Sequence, residues 1–167
     1  MRRSIVSLGL AVALSTGSSL AAAADSLPAR KAGLWESKNA SADGAHSTVR
    51  QCIDAATDQQ MQGLSDKMGM DCSKKQLTKT ATGYLSETSC KMGTISVEGK
   101  AVMTGDFNAS VRIETDSVMT GLPGVTGPKA SHTVIESRWL GPCEAGQKPG
   151  DIILESGKTV KLPAMPR

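Results

Sequence analysis

Thr94-Ile95-Ser96-Val97-Glu98-Gly99-Lys100-Ala101-Val102-Met103 is the stretch that decides the fold of this chain. Ile95, Val97, Ala101 and Met103 share one parity, while Ser96, Glu98 and Lys100 share the other. An extended backbone therefore carries an apolar row on one face and a polar row on the opposite face. The pattern recurs immediately: Phe107, Ala109, Val111 and Ile113 alternate with Asn108, Ser110, Arg112 and Glu114. Thr104-Gly105-Asp106 between the two runs is a short glycine-containing turn of the kind that joins hairpin strands. Thr133, Ile135 and Trp139 offer a third apolar face, so the region reads as half-buried antiparallel sheet.

Toward the N-terminus, Ala32–Glu36 reads as a first strand anchored by Trp35, and His46–Ile53 as a second. Asp54–Lys67 is the one segment with helix character, with Asp54 or Thr57 able to cap its start and Gly63 weakening its far half. Cys72–Thr80 and Tyr84–Met92 form a hairpin about Ala81-Thr82-Gly83. Toward the C-terminus, Gly121–Pro128 holds the densest glycine and proline and is expected to be a mobile loop and the gate to any site. A strand ends at Trp139-Leu140, and Asp151–Ser156 adds a short edge strand. The expected fold is mainly β: a curved antiparallel sheet, a meander of about seven strands with or without partial closure, and one short α-helix.

Residues 1–24 carry the pattern of a secretory signal peptide: basic Arg2 and Arg3, a short apolar Ile5–Leu14 core and Leu20-Ala21-Ala22-Ala23-Ala24 at the cleavage point. The apolar run is too short and interrupted for a membrane-spanning helix, which needs ~20 residues. The Arg-Arg pair lacks the longer polar region of a twin-arginine signal, which favours ordinary export. A tail over 25–30, one β-rich domain over 31–157 and a C-terminal tail over 158–167 complete the expected organisation. The expected location is periplasmic, with no transmembrane segment in the mature chain.

Of the 19 basic residues, Arg2 and Arg3 fall in the signal, leaving 17 against 16 acidic ones, too even a balance to attract nucleic acid or an anionic membrane. Trp35, Tyr84, Phe107 and Trp139 are the whole aromatic complement, too few for stacking on single strands. Cys52, Cys72, Cys90 and Cys143 are even in number and lack the close pairs of a zinc site, which favours two disulfides. A hairpin centred on Ala81 sets position 72 opposite position 90, whereas one centred on Thr82 makes them diagonal neighbours. The first register gives Cys72–Cys90 and leaves Cys52–Cys143 to join the first and last parts of the sheet.

No catalytic motif is present, and an enzyme is not expected. His46 and His132 are the only histidines, no serine lies in a Gly-x-Ser-x-Gly elbow, and no His-Glu-x-x-His, phosphate loop or dinucleotide fingerprint occurs. His132 is read as starting the Trp139 strand in a solvent-facing role. Met61, Met68 and Met70, with His46, are candidate soft ligands for Cu(I), set against the ordinary use of methionine as a core filler. Asn39-Ala40-Ser41 and Asn108-Ala109-Ser110 match the N-glycosylation acceptor.

Lys31-Ala32-Gly33-Leu34-Trp35-Glu36, Val49-Arg50-Gln51-Cys52-Ile53, Cys90 and Leu140-Gly141-Pro142-Cys143 occur in an order that resembles the exported bacterial family called domain of unknown function 3617. The resemblance implies an envelope location and a small, disulfide-containing, β-rich domain, and it implies no activity. The expected function is a non-catalytic binding or envelope-interaction module, without a cofactor, for an apolar ligand or a protein partner. A Cu(I) binder and, behind it, a hydrolase without a recognisable motif are the alternatives.

Overall fold

The computed structural model describes residues 22–23, 26–63 and 69–161. In chain order the elements are β1 (Ala22–Ala23), β2 (Gly33–Ser41), β3 (His46–Ile53), α1 (Ala55–Gln62), β4 (Asp71–Lys79), β5 (Gly83–Met92), β6 (Ile95–Gly105), β7 (Ser110–Thr120), β8 (Lys129–Gly141), β9 (Asp151–Leu154) and β10 (Thr159–Lys161). The nine strands β2 to β10 form a single open antiparallel sheet rather than about seven strands, and the two residues of β1 pair with Lys79 and Thr78 at its edge. From that edge the order is β4-β5-β6-β7-β8-β2-β3-β9-β10. Five strands thus follow one another as a meander. β2 then docks on β8 and carries β3, β9 and β10 beyond it.

Alternation sorts the side chains into two faces. Trp35, Ile53, Met103, Phe107 and Val111 form the core on one face, and Leu27, Met61, Leu77, Tyr84, Ile113 and Trp139 pack against it. Trp35 is fully buried, and its indole Nε1 donates to the Lys31 carbonyl at 2.8 Å. The Trp139 Nε1 donates to Ala32 O, and the Lys31 ammonium lies 3.5 Å from the Trp139 ring centroid. Gly33 has φ +135° and passes so close to the Gly141 carbonyl and the Trp139 indole nitrogen that a Cβ would collide with both. The Gly-Leu-Trp motif is therefore the point where β2 is threaded against the end of β8.

The helix is shorter than its sequence pattern. Asp54 Oδ1 accepts from Thr57 N at 2.8 Å and Thr57 Oγ1 accepts from Asp54 N at 2.8 Å, so both candidate caps act together as a capping box. α1 ends at Gln62, with Gly63 as its C-cap, and positions 64–67 of the expected helix lie outside the described residues. The expected strand from Phe107 also changes: Asp106–Ala109 is a turn, in which Phe107 has φ +60° and the Asp106 carboxylate accepts from the amides of Asn108, Ala109 and Ser110. Phe107 still reaches the core and meets Tyr84 edge-on, with ring centroids 5.8 Å apart.

Three further boundaries differ from the sequence expectation. β2 runs on to Ser41 although only its first residues are apolar, because β3 and β8 pair with it along its length. His132 is the fourth residue of β8 rather than its start. Thr159–Lys161, expected as tail, forms β10 against β9. Residues 1–21 and 24 of the expected signal peptide, residue 25 and the last six residues, 162–167, lie outside the described residues.

Candidate ligand cleft on the helix side of the sheet

The core face is not filled to its rim. Ser37 pairs with Ser137 across β2 and β8, flanked in the same row by Val49 on β3 and Val111 on β7. The neighbouring row runs Ser47, Asn39, Ile135, Ile113 and Met103. Apart from Ser47, these two rows floor a cleft of about 440 Å³, and Leu27, Met61 and Gln62 stand at its side. The floor is mostly apolar, interrupted by Asn39 and by two buried hydroxyls, with Ser37 Oγ 2.8 Å from Ser137 Oγ.

The helix wall is held by one ion pair. Asp58, 1% exposed, accepts from the backbone amide of Arg30 at 2.7 Å and from its Nε at 2.8 Å, while Arg30 Nη2 lies 2.7 Å from Asp58 Oδ1. Arg30 also lies over the Trp35 ring, 5.3 Å from its centroid. Helix, entry segment and central tryptophan are thereby fixed as a unit. A broader depression of about 850 Å³ lies over the charged part of the molecule, lined among others by Lys74, Glu87, Lys100, Asp116 and His132. There Glu87 stands opposite Lys100, Lys100 opposite Asp116 and Asp116 opposite His132. The alternation of sign from Glu87 through Lys100 to Asp116 describes a solvated sheet face, whereas a mainly apolar hollow with a few convergent polar groups is the usual form of a small-molecule site.

On the face opposite the cleft, Glu36 is buried between two arginines: Arg138 donates from Nη2 at 2.8 Å and from Nε at 3.1 Å to Oε1, and Arg50 donates from Nε at 3.2 Å to Oε2. Burial by itself pushes the Glu36 carboxyl up, but hydrogen bonds and charge from Arg138 and Arg50 outweigh it and hold the pKa below the ordinary value of 4.5. A folded-state pKa below the unfolded one means stability that is present above the unfolded pKa and lost as pH falls through the folded one. Glu36→Gln should therefore flatten the loss of stability below pH 4.5, measured as urea-unfolding free energy against pH, and an unchanged acid slope would show that the triad does not contribute it.

His132 Nδ1 lies 2.7 Å from Asp116 Oδ1, and its Nε2 lies 3.8 Å from Glu114 Oε1, on the face away from the cleft. His46 is exposed at the start of β3, Met61 packs against the core, Met70 is half-buried just before β4, and Met68 lies outside the described residues. Among the described residues no group of three or more His, Cys, Asp or Glu side chains is arranged to hold a metal ion. Gly121–Pro128 joins β7 to β8 as a loop and is not among the described lining of the cleft. Sequence reasoning missed Ser37, Ser137 and the Arg30–Asp58 pair. Continuing the parity of Trp35 to Ser37 was the signal that could have found the first of them.

The structure joins Cys52 to Cys143 and Cys72 to Cys90, with Cα separations of 5.5 Å and 3.9 Å. Two such bridges are those of a chain that folds in an oxidising environment. Among the described residues no helix is long and apolar enough to cross a membrane.

An open antiparallel sheet, bridged twice by disulfides and carrying one capped helix over part of its apolar face, defines a small β-sheet domain with a partly covered cleft. The chain belongs to the family described as "Protein of unknown function (DUF3617)", whose model matches residues 30–143. That span begins at Arg30 of the helix clamp and ends at Cys143 of the long disulfide. No match was found among curated proteins or among solved structures.

Proposed function

We propose that this protein is an exported, non-catalytic binding domain of the bacterial periplasm whose cleft takes the apolar part of a small ligand. The observation that carries the reading is the hollow of about 440 Å³ floored by Ile113, Ile135, Val111 and Met103 beside the short helix. Its volume falls in the range of small-molecule sites, and its apolar side chains are interspersed with hydroxyl, amide and paired charged groups. The signal-like N-terminus and the two disulfides support export. The non-catalytic character is supported by what the cleft presents: hydroxyls, amides and aliphatic groups, with Arg30 and Asp58 engaged with each other.

The test is the fluorescence of N-phenyl-1-naphthylamine titrated with the protein. Binding should enhance emission, and Ile113→Glu should weaken it by about tenfold or more, because an ionised carboxylate on the cleft floor has no partner there. Circular dichroism of the same variant should show the wild-type sheet signal. A probe that stays dark with the wild type, or that binds Ile113→Glu equally well, would remove the reading. Mass spectrometry of protein purified gently from its own envelope should then reveal the retained natural ligand.

A further inference from the structure

Resting on the reading of the cleft as an apolar-ligand site, the geometry points to an uncharged amphiphile as its ligand: an aliphatic chain ending in one neutral polar group, a hydroxyl or carbonyl, that hydrogen-bonds the Ser37–Ser137 pair. The two serines are buried, 6% and 7% exposed, in a row where Val49 and Val111 flank them. Their oxygens are 2.8 Å apart and either one can donate. Two hydroxyls carry two protons and four lone pairs, and their mutual bond uses one proton and one lone pair. One donor and several acceptor positions therefore remain on the pair, between Val49 and Val111 in its row. A neutral hydroxyl or carbonyl matches that remainder.

A charged headgroup does not match it. Arg30 and Asp58 are the charged residues among the described lining, and they neutralise each other. Every Asp58–Arg30 contact named above is within 2.8 Å, and Gln62 Nε2 adds a further donor to Asp58 at 3.1 Å. No cation in that lining is left to receive a carboxylate or phosphate, and no carboxylate to receive an ammonium. Placing an unpaired charge against Val49, Val111 and Ile135 costs far more than placing a hydroxyl there. The cleft selects by this electroneutrality as well as by shape.

Displacement of N-phenyl-1-naphthylamine by 1-decanol and by decanoate at pH 8 compares two ligands with the same chain and different heads. Decanol should displace the probe at a concentration lower by about tenfold or more. In the Ser37→Ala/Ser137→Ala double variant the probe should still bind, while the decanol concentration needed should rise by about fivefold. Decanoate competing as well as decanol would overturn the inference and leave the cleft reading standing. Decanol unaffected by the double substitution would overturn the role of the serine pair. Probe binding that ignores Ile113→Glu would instead bring down the cleft reading, and this inference with it.

Discussion

Trp35→Ala should lower the free energy of unfolding by about 3–5 kcal/mol, the cost of deleting a large aromatic side chain from a core that cannot close around the space. The reasons lie in the position as much as in the residue. Trp35 is fully buried, its indole donates to Lys31 O, and Arg30 rests on its ring. Loss of the ring therefore opens a cavity and also loosens the segment that clamps Asp58. Urea unfolding followed by circular dichroism measures the change. Amide exchange in Ala55–Gln62 should rise with it, since the helix is coupled to Trp35 through Arg30. A change below about 1 kcal/mol would mean that neighbouring side chains collapse into the space and that Trp35 is not the centre of this core.

Removing the Cys52–Cys143 disulfide, as Cys52→Ala/Cys143→Ala, should cost about 4–5 kcal/mol, more than the roughly 3 kcal/mol expected for the Cys72–Cys90 pair. The difference follows from sequence separation, 91 against 18, because the longer loop restricts the unfolded chain more. The long bridge also has a local role. Cys52 pairs with Leu34, and Leu34 pairs with Gly141, so the bridge ties the ends of β3 and β8 on either side of β2. Non-reducing urea unfolding of the two double variants gives both numbers. Equal losses would show that native contacts, and not the length of the closed loop, set the contribution of each bridge.

The strands with a clean apolar alternation were legible in the sequence, and those without it were not. β6 has such a face and begins where the pattern begins, at Ile95. β2 alternates only as far as Glu36 because Ser37 and Asn39 occupy inward positions, where cross-strand hydrogen bonds to β3 and β8 maintain the strand without apolar side chains. The same two rows floor the cleft, so the feature that shortened the expected strand also concealed the site. The Cys72–Cys90 hairpin shows a different limit. Its register near the turn, Lys79 opposite Tyr84 and Thr78 opposite Leu85, is neither of the two registers that the sequence suggested. Continued without interruption it would set Cys72 against Lys91. A bulge between Cys72 and Lys74 takes up one residue and sets Cys72 opposite Cys90. A bulge among Ser and Lys side chains leaves no hydrophobic trace, so the pairing was reached through a register that the chain uses only beyond the bulge, at Asp71 and Cys72.

An open sheet keeps two backbone edges able to hydrogen-bond to another strand, and in a crowded compartment each is a place where copies could stack into a growing ribbon. β4 forms one edge and carries Lys74, Lys75 and Lys79. β10 forms the other, is three residues long and ends in Lys161. Joining β4 to β4 of a second copy would set lysine rows side by side, and β10 offers too little backbone to nucleate a partner strand. The wide apolar face can thus stay partly uncovered, as the proposed ligand site requires, while each edge resists pairing with a second copy.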